Sequence, residues 1–375
     1  MAKILILHVE AGFGHRKVAE SIASELQSRY GGDLQIRVAD ALHWTNTLFR
    51  KTYPEIYFHM VVRVPWLWKF FYYATNRRLI YAFIRPLRSL WNRLQGHKLT
   101  RFLREENFDV ILFTHFFPAE ICATAKKRGI LKSQLVTVVT DVIPHSVWRN
   151  PGTDCYWVMA EESAEVLAKD GIPDERIQTK GIPVGSEFLV KQDRNSLRAK
   201  FGLEPNRLTL LFSSGSFGSG PTEEVLNSFK DFHSSIQAIV VCGRNEHLHQ
   251  TLSKRRFPFP LVVFGFVHNM HEIMSASDLL VAKPGGATMC ESLVKGLPMI
   301  ILAPIPGQES YNAKWLAAHQ ASFQISMHTE IRDIVSQLIS RPEKFEIMRR
   351  SIKQIARPDA TRNIAEFIFQ SINHA

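Results

Sequence analysis

The chain has 375 residues, 45% of them hydrophobic, with 46 Lys and Arg against 35 Asp and Glu, a formal net charge of +11. This composition excludes a disordered, a collagen-like or a polytopic membrane chain, and the length predicts two domains. A net charge of this size suits nucleic acid, an anionic membrane surface or a phosphorylated substrate.

The excess positive charge lies in one segment, residues 44–104. This segment contains twelve Lys and Arg and a single acid, Glu55, so it carries the whole +11 and the rest of the chain is neutral. It also holds fifteen of the 40 aromatic residues, including four of the seven tryptophans. The basic character is therefore local to a segment that is also rich in aromatic rings.

Along the chain, β-branched or leucine-rich runs alternate with amphipathic helical patterns, which is typical of parallel α/β units. We predict strands at residues 3–9, 35–39, 110–114, 134–140, 155–158, 208–213, 238–242, 261–264, 279–282 and 299–302. The predicted fold class is α/β, with two Rossmann-like domains whose parallel sheets face a cleft. No stretch reaches eighteen uncharged apolar residues, so any membrane contact is expected to be peripheral.

The predicted domain boundaries follow from this pattern. Residues 1–185 form the N-terminal domain, in which residues 44–104 are an insertion, and residues 186–355 form the C-terminal domain. Residues 356–375 are predicted to form a helix that crosses back to the first domain. The four cysteines have no metal-binding or redox spacing and are expected to be reduced core thiols of a cytoplasmic protein.

Each half opens with a strand, a glycine turn and a helix, at residues 10–16 and 213–221. Glycine lets the backbone approach a ligand closely, and the first N–H groups of the next helix favour an anion. Taken alone, either turn is equally consistent with a tight connection.

A third glycine site, in residues 278–313, is more specific. Its predicted strand ends in Pro-Gly-Gly and leads into a helix, which directs the N–H groups near Gly286, Ala287 and Thr288 at a phosphate. Glu291 follows one helical turn later, where a carboxylate suits a ribose diol. Gln308 and Glu309 follow the next strand at the same sheet edge and suit sugar hydroxyls.

Residues 263–313 resemble the donor site of the GT-B glycosyltransferases that include monogalactosyldiacylglycerol synthases, bacterial diacylglycerol glucosyltransferases and the lipid-II-forming N-acetylglucosaminyltransferase. Three N-terminal segments narrow the resemblance to the first two groups, in glycosyltransferase family 28: Gly-Phe-Gly-His at residues 12–15, Thr-Asp-Val-Ile-Pro-His-Ser-Val-Trp at 140–148 and Thr-Lys-Gly-Ile-Pro at 179–183. Ala11 and Phe13 stand where that family usually has glycine.

The resemblance implies inverting transfer of a hexose from UDP-glucose or UDP-galactose to the hydroxyl of diacylglycerol. It also implies that no cofactor and no obligatory metal is needed, and the sequence has no Asp-x-Asp motif to hold a divalent cation. A helix N-terminus can meet the charge of the UDP leaving group instead.

The acceptor hydroxyl needs a base. His15, at the start of the first predicted helix, is the candidate base, and a capping or acceptor-orienting histidine is the alternative. Asp141 is the second candidate, as a base or as the group that orients an imidazole, and a turn carboxylate is its alternative. Gly14, His145 and Trp148 are the predicted acceptor-binding residues.

The predicted donor-binding residues share a position near a glycine turn or a strand end. The resemblance assigns uracil to the backbone of Phe266 and Val267, and Arg244 either reaches the nucleotide or is solvated at a strand end. The other donor-binding residues are Gly215, Ser216, Gly285, Gly286, Ala287, Thr288, Glu291, Gln308 and Glu309.

The basic aromatic insertion is predicted to dock on an anionic membrane, at its cytoplasmic face. Helices that pack on the N-terminal sheet are the alternative for some of its aromatic rings. The predicted membrane-binding residues are Trp66, Trp68, Arg77, Arg78, Arg85 and Arg88.

Three other functions stay open at this point. A nucleic-acid binder would explain the charge and not the donor motif, so no nucleic-acid partner is expected. A UDP-sugar epimerase would use the same nucleotide site and has no use for a membrane-docking insertion. Transfer of N-acetylglucosamine to a polyprenyl-diphosphate-linked acceptor is the third.

Overall fold

The structure is a computed structural model, and it describes residues 1–373 except 11, 214, 216, 217, 219, 233, 234, 326 and 328. The N-terminal domain is built on a six-stranded sheet in which every pair is parallel, in the order β2-β1-β3-β4-β5-β6. Its strands are β1 (Ala2–His8), β2 (Leu34–Asp40), β3 (Val110–Phe113), β4 (Gln134–Val138), β5 (Cys155–Val158) and β6 (Ile177–Thr179).

The C-terminal domain has a second sheet of six parallel strands, in the order β12-β11-β10-β7-β8-β9. Its strands are β7 (Leu208–Ser213), β8 (Ile236–Val241), β9 (Leu261–Phe264), β10 (Leu279–Ala282), β11 (Met299–Ile301) and β12 (Ser322–Gln324). The central strands of both sheets are buried on both faces because helices cover them. The predicted α/β architecture is thus confirmed.

Helices connect the strands and cover the sheets. Those of the N-terminal domain are α1 (Phe13–Tyr30), α2 (Thr47–Arg63), α3 (Pro65–Thr75), α4 (Arg78–Gln95), α5 (His97–Glu106), α6 (Phe116–Lys127) and α7 (Glu161–Lys169). The remaining helices are α8 (Arg194–Lys200), α9 (Thr222–Ser228), α10 (Glu246–Lys254), α11 (Met270–Ala276), α12 (Gly286–Val294), α13 (Gln308–Ala318), α14 (Glu330–Ser340), α15 (Glu343–Ile355) and α16 (Ala360–Asn373). Among the described helices, none is long and apolar enough to cross a membrane.

Contacts between the domains close the cleft at several points. The last helix, α16, packs on α1, where the rings of Tyr30 and Phe369 stack with centroids 4.0 Å apart. At the other side, Asn312 Oδ1 accepts a hydrogen bond from Val142 N at 3.0 Å. The start of α12 comes so close to the N-terminal domain that a Cβ at Gly286 would lie 1.8 Å from the Thr140 carbonyl oxygen. Glycine is therefore required at this position.

The insertion, residues 44–104, forms α2 to α5 and reaches the C-terminal domain through α3. The indole Nε1 of Trp68 donates to the carbonyl oxygen of Pro306 at 2.8 Å. The ring of Tyr72 lies over Gly307, which has φ +100 and where an added Cβ would be 2.7 Å from the ring. The insertion therefore contacts the loop that follows β11 in the other domain.

Candidate active site

A cavity of about 280 Å³ lies between the two glycine-rich edges of the domains. The helix start of α1 contributes Phe13 and Lys17 from the N-terminal side. Most of the predicted donor-binding residues line this cavity from the C-terminal side: Gly215, Phe266, Val267, Gly285, Gly286, Ala287, Thr288, Glu291 and Glu309. We call it the donor cavity.

One wall of the donor cavity is the N-terminus of α12. Buried β10 ends at Ala282, and the chain turns through Gly285 into the helix. The first intrahelical hydrogen bond runs from Met289 N to Gly285 O at 2.8 Å. The N–H groups of residues 286–288 precede that bond, and this arrangement suits a phosphate.

Glu291 lies one turn into α12 and is 4% exposed. Its Oε1 is 3.3 Å from Lys17 Nζ of α1. Burial raises the pKa of Glu291, and the Lys17 charge opposes that rise. The carboxylate predicted to hold a ribose diol is thus already paired across the cleft.

Two aromatic rings and a guanidinium meet at the rim of the donor cavity. The rings of Phe13 and Phe266 have centroids 5.5 Å apart, and Arg244 Cζ lies 4.5 Å from the Phe13 centroid and 5.8 Å from that of Phe266. Arg244 therefore packs on the rings beside the predicted uracil position, where a base could stack.

A second cavity of about 500 Å³ lies between the N-terminal sheet edge and the insertion. Its wall is mostly aromatic and aliphatic, and the insertion helices contribute more than half of it. The lining includes Phe49, Tyr53, Ile56, Met60, Trp68, Phe71, Tyr72, Trp91, Phe116 and Trp148, together with His15, His115, Asp141 and His145. We call it the acceptor cavity.

His15 lies on the wall of the acceptor cavity at the start of α1. Its Nδ1 donates to the carbonyl oxygen of Thr114 at 2.6 Å, and the hydroxyl of Thr140 lies 3.2 Å from the same nitrogen. Because a carbonyl only accepts, Nδ1 carries the hydrogen and Nε2 keeps its lone pair. Desolvation is the main cause that lowers the pKa of His15 to about 4, so the imidazole is neutral and able to accept a proton at neutral pH.

Asp141 also lines the acceptor cavity. Desolvation, aided by the charge of Glu309, raises the pKa of Asp141 to about 7, against a hydrogen bond from the side chain of Trp148. A pKa near 7 leaves part of this carboxyl ionised at neutral pH and able to accept a proton. Its position beside His15 in one cavity wall agrees with either of the roles predicted for it.

His145 and Trp148 line the acceptor cavity as well, and both are buried. Val147 N donates to His145 Nδ1 at 3.1 Å, and His145 Nε2 donates to the carbonyl oxygen of Tyr72 at 3.0 Å. Both ring nitrogens are therefore used within the protein. His145 therefore connects the turn after β4 to the insertion. Only the carbon face of its ring is available to contact the substrate in the acceptor cavity.

Several predicted residues are placed differently from the prediction. Gly14 lines the donor cavity and not the acceptor cavity, because α1 turns it toward Ala287, whose Cβ would be 3.6 Å from a Cβ at Gly14. Gln308 lines the acceptor cavity, while Glu309 faces the donor cavity and accepts from Ile305 N at 2.7 Å. Ser216 lies outside the described residues.

Two of the predicted membrane-binding residues face inward. Trp68 is held by Pro306 and lines the acceptor cavity. Arg88 Nη2 lies 2.8 Å from Glu120 Oε2, with side chains only 18% and 5% exposed. The prediction for these two was wrong because helical spacing alone did not show which face of α3 and α4 is inward. Trp66, Arg77, Arg78 and Arg85 are exposed.

The sequence prediction also missed two residues of the site. Lys17 follows His15 by two residues on α1 and has no motif of its own. Tyr57 is one of fifteen aromatic residues in the insertion, and only its position in the structure distinguishes it: it lines both cavities. In the sequence, Tyr57 is an aromatic residue in a basic segment, and its neighbours share that pattern.

Comparison with known families agrees with this geometry. Residues 15–184 match the family model of monogalactosyldiacylglycerol (MGDG) synthase, and residues 209–360 match the glycosyltransferase family 28 C-terminal domain. The chain therefore carries an MGDG synthase domain followed by a glycosyltransferase family 28 C-terminal domain. The family predicted from the sequence motifs is thereby confirmed.

Relatives extend the match along the whole chain. A processive diacylglycerol beta-glucosyltransferase of Bacillus pumilus is 26% identical over 370 residues, which is 98% of this chain and 94% of the relative. The enzyme of the same name from Staphylococcus epidermidis RP62A is 28% identical over 378 residues, which is 100% of this chain and 94% of the relative. Among solved structures, MurG of Acinetobacter baumannii has a TM-score of 0.66 at 14% identity, with 99% of this chain and 100% of that chain covered. The similarity to the MurG structure shows that the chain has the GT-B fold.

Proposed function

We propose that this glycosyltransferase moves a hexose from a UDP-sugar to the hydroxyl of diacylglycerol and inverts the anomeric centre. The observation that carries the proposal is the pair of adjoining cavities. One has a helix N-terminus suited to a diphosphate, and the other is a large apolar chamber with His15 on its wall. The relatives named as diacylglycerol beta-glucosyltransferases support the same reaction.

His15 acts as the base in this reaction. Its Nε2 takes the proton of the acceptor hydroxyl while the acceptor oxygen attacks the anomeric carbon from the face opposite UDP. The bond from that carbon to the diphosphate breaks as the new bond forms, and UDP leaves with the electron pair. One displacement converts the α-linked donor into a β-linked product, in keeping with the names of the relatives.

We further propose that UDP departs without an obligatory metal. The N–H groups at the start of α12 lie where negative charge grows on the diphosphate. The ammonium group of Lys17 lines the same cavity. The helix N-terminus is fixed before reaction, so its N–H groups supply positive potential without reorganisation.

We propose peripheral docking on the cytoplasmic face of an anionic membrane, carried by α3 and α4. The apolar residues of α4 point outward and recur at helical spacing: Leu79, Phe83, Leu87, Leu90, Trp91 and Leu94 are exposed. The buried residues of that helix are Tyr81, Asn92 and Gln95. A surface helix with its apolar side outward needs another apolar phase, and a lipid layer provides one.

The mouth of the acceptor cavity fits this orientation. Ile56, Phe71 and Trp91 line the cavity and are also exposed, so the apolar wall continues onto the proposed docking surface. Exposed Arg77, Arg78 and Arg85 lie beside it and would contact anionic headgroups. A diacylglycerol could enter from the membrane without crossing water.

The test is to incubate the protein with radiolabelled UDP-glucose or UDP-galactose and diacylglycerol liposomes. We expect labelled glycolipid that appears with or without a chelator. Absence of lipid product from either donor would refute the proposal. Product formed only with a polyprenyl-diphosphate-linked acceptor, or isomerised UDP-sugar in place of glycolipid, would favour one of the two other enzyme functions.

A further inference from the structure

Tyr57 occupies the point where the two cavities meet. Among the described residues it alone lines both of them. Gln308 Nε2 donates to the Tyr57 hydroxyl oxygen at 3.1 Å. Since Tyr57 lies on α2 of the insertion and Gln308 begins α13 of the C-terminal domain, one hydrogen-bonded pair spans the cleft between donor and acceptor.

This pair has hydrogen-bonding capacity that the protein does not use. Gln308 Oε1 is buried and has no hydrogen-bond partner. The Tyr57 oxygen accepts from Gln308, so its own O–H remains a donor. A buried polar atom normally has a partner, and an orphaned one at a substrate cavity points to a ligand. One donor beside one acceptor is the complement of a single hydroxyl group.

The neighbouring contacts hold the pair in place. The ring of Tyr57 meets that of Trp68 edge-on, with centroids 5.3 Å apart, and Trp68 is hydrogen-bonded to Pro306. Burial raises the pKa of Tyr57, and the nearby carboxylates of Glu309 and Asp141 add to that rise. The Tyr57 hydroxyl therefore keeps its proton and stays a donor over the working pH range.

We propose that Tyr57 and Gln308 together bind one hydroxyl of the transferred hexose, so that the insertion selects the donor sugar as well as the acceptor. The inference rests on the proposed function, because it names a subsite of that reaction. The acceptor hydroxyl is a poorer fit to the pair: its single proton goes to His15, and it cannot also donate to Gln308 Oε1. A hexose hydroxyl keeps its proton throughout the transfer.

Tyr57→Phe tests the subsite because it removes the hydroxyl and keeps the ring. Tyr73→Phe is the matched control, since Tyr73 belongs to the same insertion, lines neither cavity, and contacts Tyr311 at 6.1 Å between ring centroids. We expect Tyr57→Phe to lower kcat/KM for the preferred UDP-hexose by about 10-fold. The variant should also discriminate less between UDP-glucose and UDP-galactose, whichever of the two the wild-type enzyme prefers. The Kd of UDP, which has no hexose, should not change.

Gln308→Ala provides the second measurement. If the two residues bind one hydroxyl, the double variant Tyr57→Phe/Gln308→Ala loses no more than Gln308→Ala alone. Losses that multiply would overturn the inference. So would a Tyr57→Phe enzyme with an unchanged kcat/KM and hexose preference, or one that loses UDP affinity and melting temperature together, which is the result of a merely structural role.

The wild-type enzyme separates this inference from the function on which it rests. If wild-type protein makes no glycolipid, the proposed function fails and the subsite fails with it. If wild-type protein makes glycolipid and Tyr57→Phe behaves like Tyr73→Phe, only the subsite is overturned.

Discussion

Lys17 Nζ lies 3.3 Å from Glu291 Oε1, and this ion pair joins α1 of one domain to α12 of the other beside the donor cavity. Glu291 is buried, whereas the Lys17 side chain is 43% exposed. A ribose diol that binds Glu291 would donate to a carboxylate whose charge is already held in place. The pair thus links closure of the cleft to the shape of the nucleotide site.

Replacing each partner separately tests the role of Glu291. We expect Glu291→Ala to weaken UDP binding by about 10-fold, because a buried carboxylate loses its hydrogen bonds to the ribose. Lys17→Ala should weaken it less than Glu291→Ala does, because half-exposed ion pairs contribute little. Isothermal titration calorimetry with UDP measures both. Equal effects of the two variants would mean that Glu291 serves only as a partner of Lys17.

His15→Ala should lower kcat by about 10²- to 10⁴-fold and leave the Kd of UDP unchanged, because the base contacts the acceptor and not the nucleotide. The pH profile identifies the base. A base works above its pKa, so with His15 the value of kcat/KM stays level near neutral pH and falls only as pH approaches about 4. An acid limb centred near pH 7 would assign the role to Asp141, whose pKa is raised to about 7.

Asp141→Asn should stabilise the protein at pH 8. The folded-state pKa of Asp141 is raised from 3.8 to about 7, so the folded state binds more protons than the unfolded state between those values, and the group costs stability as pH rises through that window. Removing the charge should add up to about 4 kcal/mol at pH 8, and less as the pH falls toward 4. Urea unfolding at pH 5 and pH 8 measures the difference, and a gain that is larger at pH 5 would contradict this assignment.

Ten strands predicted from the sequence are present in the structure, with ends that agree to within two residues. Apolar runs that are buried on both faces make such strands visible in a sequence. The prediction missed β6 and β12, each three residues long at a sheet edge, because such a short, half-covered strand leaves no periodic pattern.

The residues of the candidate site were likewise predicted only where they form a contiguous pattern in the sequence. Gly286 and Glu291 were found because a strand, a glycine turn and a helix are contiguous in the chain. The Tyr57–Gln308 pair joins residues that are 251 positions apart, and no local pattern predicts such a contact. The inward direction of Arg88 was missed for a related reason: Glu120, its partner, lies on another helix.

Phe13 stands at a turn where the sequence resemblance predicts glycine. Its ring packs on Phe266 and Arg244 of the opposite domain, so it adds an apolar contact across the rim of the donor cavity. We expect Phe13→Gly to weaken UDP binding by about 3- to 10-fold through loss of this contact. The melting temperature serves as the control, and tighter UDP binding by the variant would show that Phe13 obstructs the site.

The arginines in α4 and at its N-cap provide a contrast between docking and packing. Replacing Arg77, Arg78 and Arg85 by Ser removes exposed charges, so we expect weaker sedimentation with anionic liposomes and an unchanged unfolding free energy. Arg88→Ser instead leaves the buried carboxylate of Glu120, which is 5% exposed, without its ion-pair partner, and should lower the free energy of unfolding by about 3 kcal/mol.

Liposome sedimentation at low and high salt, paired with urea unfolding, measures both effects. Because counterions screen exposed charges, added salt should weaken binding of the wild type more than that of the triple variant. If binding of the wild type does not depend on salt, the apolar face of α4 alone provides the affinity for the membrane. If Arg88→Ser is as stable as the wild type, another group neutralises Glu120.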